Sequence, residues 1–187
     1  MPRIIAGTLG GRPIPAPPGK GTRPTSDRVR EALFSRLEGW DATRGARVLD
    51  LYAGTGALSF EALSRGAVSA VLVESHGPTA RQLRRVARDL GLGDGCDVRE
   101  GRAEKVARES VADPFTLVFL DPPYDVATES LEELLVTLRP ALAEDALVVV
   151  ERSARSRPLR WPGGWGDDGT RRYGETVLQY GGPGTPA

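Results

Sequence analysis

The stretch Phe115-Thr116-Leu117-Val118-Phe119-Leu120-Asp121-Pro122-Pro123-Tyr124 decides the fold. Apolar residues dominate it up to Leu120, the pattern of a strand buried on both faces. Proline cannot donate a ladder hydrogen bond, so pairing stops at Pro122. The chain halts with a carboxylate, a backbone carbonyl and a phenol ring gathered at a strand's C-terminal end, the edge where open α/β sheets bind ligands. A planar amine fits there, held by Asp121 Oδ and the Pro122 carbonyl, with Tyr124 stacked on its ring. D-P-P alone also describes a proline-stopped surface turn; the tyrosine and a partner motif near residue 50 favour the amine site.

On either side of this strand the chain alternates between strand and helix patterns from Arg47 onward. Strands are predicted at 48–52, 68–73, 96–99, 115–120 and 146–150, and helices at 57–64, 78–90 and 128–138. Two weaker segments, 159–161 and 176–180, flank Gly163-Gly164 and suit an antiparallel hairpin at the sheet edge. This order implies parallel strands joined by right-handed crossovers. The fold class is therefore α/β, with a doubly wound, mostly parallel, seven-stranded sheet. Before Arg47, residues 3–17 read as a short hairpin or extended arm and 16–24 as a basic loop rich in proline and glycine. Val29, Leu33, Phe34 and Leu37 mark a helix capped by Thr25 or Ser26 and ended near Gly39. The chain divides into a basic extension (1–40), an α/β domain (41–182) and a disordered tail (183–187).

A chain of 187 residues with 40% hydrophobic content suits one soluble domain with a core of its own. No run is long enough to span a membrane, and the first residues carry no secretory pattern. A single cysteine, Cys96, excludes an internal disulfide and disfavours a zinc cluster, so a reducing, cytoplasmic compartment is expected, with no metal. Net charge is zero, but residues 1–47 hold nine bases and four acids, which leaves that quarter at +5 and the remainder at −5. Arginine supplies nearly all the positive charge and suits phosphate through its bidentate fork. A basic face on a neutral protein is an electrostatic footprint for nucleic acid.

Asp50-Leu51-Tyr52-Ala53-Gly54-Thr55-Gly56 ends the first strand of the α/β unit. Gly54 and Gly56 permit a sharp turn and the close approach of a ligand. A dinucleotide fingerprint places a third glycine where Ser59 stands. That absence, with the acid at Asp50, disfavours a pyrophosphate and favours a ligand carrying positive charge. An ammonium suits Asp50, and Glu74, ending the second strand, is placed to accept from two ribose hydroxyls. An amino acid, a ribose and an adenine without phosphate describe S-adenosylmethionine.

With these motifs the chain resembles the class I S-adenosylmethionine-dependent methyltransferases, whose sheet is Rossmann-like, and D-P-P-Y resembles the group that methylates exocyclic or amide nitrogens. Arg3 to Gly7, Thr22 to Phe34, Asp50 to Gly56 and Glu61 to Ala67 resemble the ribosomal RNA small-subunit methyltransferase D family, across nearly the whole chain. The resemblance implies methylation of N2 of a guanine in 16S rRNA, with the base flipped into the D-P-P-Y pocket. It implies a target-base site at Asp121, Pro122, Pro123 and Tyr124, and cofactor contacts at Asp50, Tyr52, Gly54, Gly56 and Glu74. Ala53, Ser75, Arg102 and Ala103 adjoin that cofactor site. Arg102 stands where many related enzymes carry an acid or amide for the adenine amine, which passes that contact to the Ala103 backbone. RNA contact is assigned to Arg3, Arg12, Lys20, Arg23, Arg28 and Arg30, the partner being 16S rRNA, free or in an assembling small ribosomal subunit, bound by a monomer.

Other residues read as structural. Arg81, Arg84, Arg85 and Arg88 share one helix face and suit a solvated surface. His76 has no partner in view, Cys96 suits a small core position, and Trp40, Trp161 and Trp165 suit packing. The alternatives are a DNA amine or protein glutamine N-methyltransferase, which shares the N/D-P-P-Y box, and a silent RNA-binding scaffold. A NAD oxidoreductase is disfavoured by Ser59 and D-P-P-Y.

Overall fold

The computed structural model describes residues 1–17 and 25–184. Its single sheet contains β1 (Arg47–Asp50), β2 (Ser69–Glu74), β3 (Cys96–Glu100), β4 (Phe115–Leu120), β5 (Leu142–Ser153), β6 (Gly166–Tyr173) and β7 (Thr176–Gly182), in the order β3-β2-β1-β4-β5-β7-β6. Strands β1 to β5 run parallel, while β7 pairs antiparallel with both β5 and β6. The helices are α1 (Asp27–Gly39), α2 (Ala57–Ser64), α3 (Gly77–Asp89), α4 (Ala103–Val106) and α5 (Thr128–Leu138). Among the described residues no helix is long and apolar enough to cross a membrane.

The period of two along β4 sets up both halves of the core. Leu117 and Phe119 pack with Phe34, Phe60 and Leu83 from α1, α2 and α3. Val118 and Leu120 pack with Leu131 and Leu135 from α5. Register Asp50↔Phe119 and Leu120↔Val150 aligns the C-terminal ends of β1, β4 and β5. Ser26 caps α1 by accepting from the Val29 amide (3.2 Å), relieving one of the unpaired donors of the first turn.

Two strand assignments change. Residues 159–161 form no strand; the Leu159 backbone is held at both ends by the Gln179 side chain (3.0 and 3.2 Å). The sheet's last strand is instead β6, Gly-Asp-Asp-Gly-Thr-Arg-Arg-Tyr, which lacks apolar alternation. It exists because β7 offers a free edge and a two-residue turn at Gly174 (φ 60°) folds it back. Its charges then shield the sheet edge. β5 begins at Leu142 rather than Ala146, and α4 has no counterpart in the sequence reading. Of the expected tail, Pro183 and Gly184 form a turn, and 185–187 lie outside the described residues.

The segment 1–40 is not set apart from the sheet's core. Ile4 and Ile14 are fully buried and join α1 in the core that includes Phe119. A single antiparallel bridge, Arg3↔Pro13, closes the amino-terminal turn. Gly7 is obligatory there: its φ is +83°, and a Cβ would collide with the Ser64 carbonyl.

Candidate active site

A cavity of about 530 Å³ opens at the C-terminal ends of β1, β2, β4 and β5. Of the residues assigned to the cofactor, Tyr52, Ala53, Gly54, Glu74, Ser75, Arg102 and Ala103 line it. Glu74 is tied to the glycine loop: Oε2 accepts from the Gly54 amide (3.1 Å) and Oε1 from the His76 amide (2.8 Å). Arg102 sits exposed on the rim, 3.6 Å from Glu104. Burial pushes the Tyr52 phenol up to about 12, so it remains a neutral wall.

Asp50 and Gly56, also assigned to the cofactor, are not among the residues that line the cavity. Asp50 is 1% exposed beneath the loop, and its Oδ2 accepts the Ser59 hydroxyl (2.9 Å). Its Oδ1 is buried with no close hydrogen-bond partner among the described residues. Ser59, which spoils the dinucleotide fingerprint, is thus the partner of this acid. Gly56 is required by packing: φ is +79°, and a Cβ would overlap Phe60 and Leu83.

Burial pushes the Asp50 carboxyl from 3.8 up to about 7, against the Ser59 and Tyr52 hydrogen bonds. The folded protein therefore holds a proton that the unfolded chain has released. Asp50's contribution to stability is fully present below pH 3.8 and falls as pH rises to about 7. Asp50→Asn retains an acceptor for Ser59 and is expected to remove this slope. Thermal unfolding of both forms between about pH 4 and 8 checks it; identical slopes would show that Asp50 titrates normally.

The other half of the cavity is built from the ends of β4 and β5. Asp121, Pro122, Pro123 and Tyr124 all line it, within the same cavity as Gly54 and Glu74. Asp121 is half-buried, Pro122 buried, and Tyr124 60% exposed. Three residues that the sequence reading passed over complete this half: Thr25, Glu151 and Arg152. The Thr25 hydroxyl lies 2.8 Å from Glu151 Oε2 and 3.3 Å from Asp121 Oδ2. Arg152 Nη2 donates to the Val126 carbonyl (2.9 Å) and Thr128 Oγ1 (3.2 Å), fastening the chain after Tyr124 to β5. Glu151 was detectable by the rule that selected Glu74 and Asp121, an acid closing a β-branched run.

The assigned basic residues divide. Arg3 and Arg12 are exposed, anchored on the carbonyls of Gly11 (2.9 Å) and Asp89 (3.0 Å), and Arg28 is exposed on the first turn of α1. Arg30 is corrected: it is fully buried, where RNA does not reach. Its guanidinium donates to the Arg3 carbonyl and pairs with Asp27 (3.1 Å) and the buried Glu61 (3.7 Å). Lys20 and Arg23 lie outside the described residues.

The family model described as conserved hypothetical protein 95 matches residues 2–181. Ribosomal RNA small subunit methyltransferase D of Escherichia coli is 37% identical over 165 residues, 87% of this chain and 80% of that protein. The protein of the same name from Haemophilus influenzae is 34% identical over 165 residues, 87% of this chain and 84% of that protein. The solved Escherichia coli protein YhhF superposes with a TM-score of 0.83 at 35% identity, covering 96% of both chains. The sheet order and antiparallel last strands are those of the class I methyltransferases. The chain belongs to the conserved hypothetical protein 95 family, the family of the ribosomal RNA small-subunit methyltransferase D proteins.

Proposed function

We propose that this protein is an S-adenosylmethionine-dependent rRNA methyltransferase that modifies the exocyclic N2 of one guanine in 16S rRNA. We propose further that it works as a monomer on rRNA that is free or within an assembling small subunit. The observation that carries this reading is the sharing of one cavity by Asp121-Pro122-Pro123-Tyr124 with Gly54 and Glu74. The relatives' name, ribosomal RNA small subunit methyltransferase D, supports an rRNA substrate.

The residues present fit the cofactor. Glu74 is positioned for two ribose hydroxyls, and the Gly54 backbone permits close approach. Asp50 is a buried acid beneath the loop, and an ammonium bound above it would favour the ionised carboxylate. S-adenosylmethionine supplies an electrophilic methyl group, so the protein's task is alignment of the amine, which accounts for a large share of such barriers. Asp121 Oδ and the Pro122 carbonyl accept the two N–H groups and direct the nitrogen lone pair toward the methyl. The nitrogen becomes acidic only after attack, so a strong base is unnecessary.

Extruding the base from its stack costs on the order of a few kcal/mol. Stacking on the exposed Tyr124 ring offsets about 1–3 kcal/mol. Tyr124→Ala is therefore expected to lower kcat/KM by about 10- to 100-fold, and Tyr124→Phe by less than about threefold. Equal losses in single-turnover assays would contradict stacking.

The assigned arginines that lie at the surface, Arg3, Arg12 and Arg28, are expected to contact phosphates. Arg12→Ala and Arg28→Ala should each flatten the salt dependence of RNA affinity by about one counterion. Binding titrations across a salt series check this, and an unchanged slope removes that residue from the interface. Deleting the amino-terminal segment is a poor test, because Ile4 and Ile14 belong to the core. The direct test of the function is mass mapping of 16S rRNA from cells with and without this protein. Loss of one methylguanine is expected, and an unchanged map rejects the reading.

A further inference from the structure

We infer that Glu151 is the residue that selects guanine, by accepting the N1–H next to the amine that Asp121 holds. The inference rests on the function proposed above. Asp121 and Glu151 each follow the register pair Leu120↔Val150, on adjacent parallel strands. They project to the same face of the sheet, the face that carries Phe119 and α1. Both line the cavity, and one hydroxyl, that of Thr25, reaches both carboxylates. Thr25 is itself buried and immediately precedes the Ser26 cap, so it is rigidly placed by the docking of α1.

Two acceptor groups side by side suit a ligand edge with two adjacent donors. Among the nucleobase amines only guanine provides one. Its N2 adjoins N1–H, whereas adenine N6 adjoins the N1 acceptor and cytosine N4 adjoins the N3 acceptor. A glutamine amide likewise places a carbonyl acceptor beside its nitrogen. A carboxylate at Glu151 therefore attracts the guanine edge and repels the others, which also separates this site from the DNA-amine and protein-amide alternatives. Thr25 acts as a positioning residue, its hydroxyl fixing the spacing of the two acids.

The experiment compares two RNAs: a 16S rRNA with guanine at the methylated position, and the same RNA ligated to carry 2,6-diaminopurine there. Diaminopurine keeps the N2 amine but presents an acceptor at N1. The wild-type protein is expected to favour guanine by about 100-fold in kcat/KM. Glu151→Gln, whose amide can donate to N1, is expected to shrink that ratio at least about tenfold, with diaminopurine methylation kept or raised. Thr25→Val should shrink the ratio as well, and Thr25→Ser should restore it, which keeps the test intact if the glutamine variant fails to fold. Equal losses on both RNAs, with an unchanged ratio, overturn the inference and leave the proposed function standing. A wild-type protein that methylates neither RNA overturns the guanine reading and the inference with it.

Discussion

Asp121→Ala is expected to lower kcat by about a thousandfold or more while S-adenosylmethionine affinity stays within about twofold. The split follows from where Asp121 stands. It closes β4, across the cavity from Glu74 and the glycine loop, and shares its hydrogen-bonding neighbourhood with Thr25 and Glu151. The cofactor half is held by residues of its own: the loop by Glu74, and Asp50 by Ser59. Removing the carboxylate leaves the amine with one acceptor, the Pro122 carbonyl, and with its lone pair delocalised into the ring. Asp121→Asn retains an oxygen acceptor and is expected to lose only about tenfold. Calorimetric titration with the cofactor and single-turnover methylation of rRNA measure the two halves separately. Near-normal methylation by Asp121→Ala would remove the residue from the chemistry; a parallel collapse of cofactor affinity would mean that it acts through the fold.

The chemistry was legible in the sequence where it depended on one strand end at a time. Asp121 and Glu74 each terminate an apolar run, and a sheet places such acids at one edge whatever the rest of the chain does. What the sequence hid depended on elements meeting. Thr25 reaches Asp121 only because α1 docks across the face of β4 through Phe34 and Phe119. β6 is a strand only because β7 is there to pair with it. Asp50 and Gly56 were recognised by motif, but their physical reasons are local: a buried partner in Ser59, and the space taken by Phe60 and Leu83. Arg30 is a different case. It lies on the stripe of Leu33, Phe34 and Leu37 at helical spacing, so periodicity already placed it inside. The clustering of positive charge pointed outward, and packing prevailed because a buried acid was waiting.

That acid makes Glu61→Ala the variant with the largest expected effect on stability, a loss of about 3–5 kcal/mol. Glu61 is fully buried on α2 and has four partners: the amides of Ile5 (2.7 Å) and Ala6 (3.0 Å), Arg65 Nε (2.7 Å) and Arg30 Nε (3.7 Å). Its removal takes the buried counter-charge from the wholly buried Arg30, which keeps Asp27 and the Arg3 carbonyl, and leaves two backbone donors unpaired, both of them costly. For a chain of this length the melting temperature should fall by about 10 °C. Glu61→Gln keeps an acceptor without the charge and should lose less. Pairing Glu61→Leu with Arg30→Met removes both charges together and should recover much of the deficit, since apolar replacements of a buried pair are often nearly neutral. A double-mutant cycle in urea measures the coupling, and strictly additive losses would show that the two residues act separately. The same node holds the Arg3 carbonyl and the amides of Ile5 and Ala6 against α1 and α2. Loosening it should therefore weaken RNA affinity in the folded Glu61→Gln protein while cofactor affinity holds. Arg30 would then serve RNA from inside the core, by fixing the segment that carries Arg3 and Arg12.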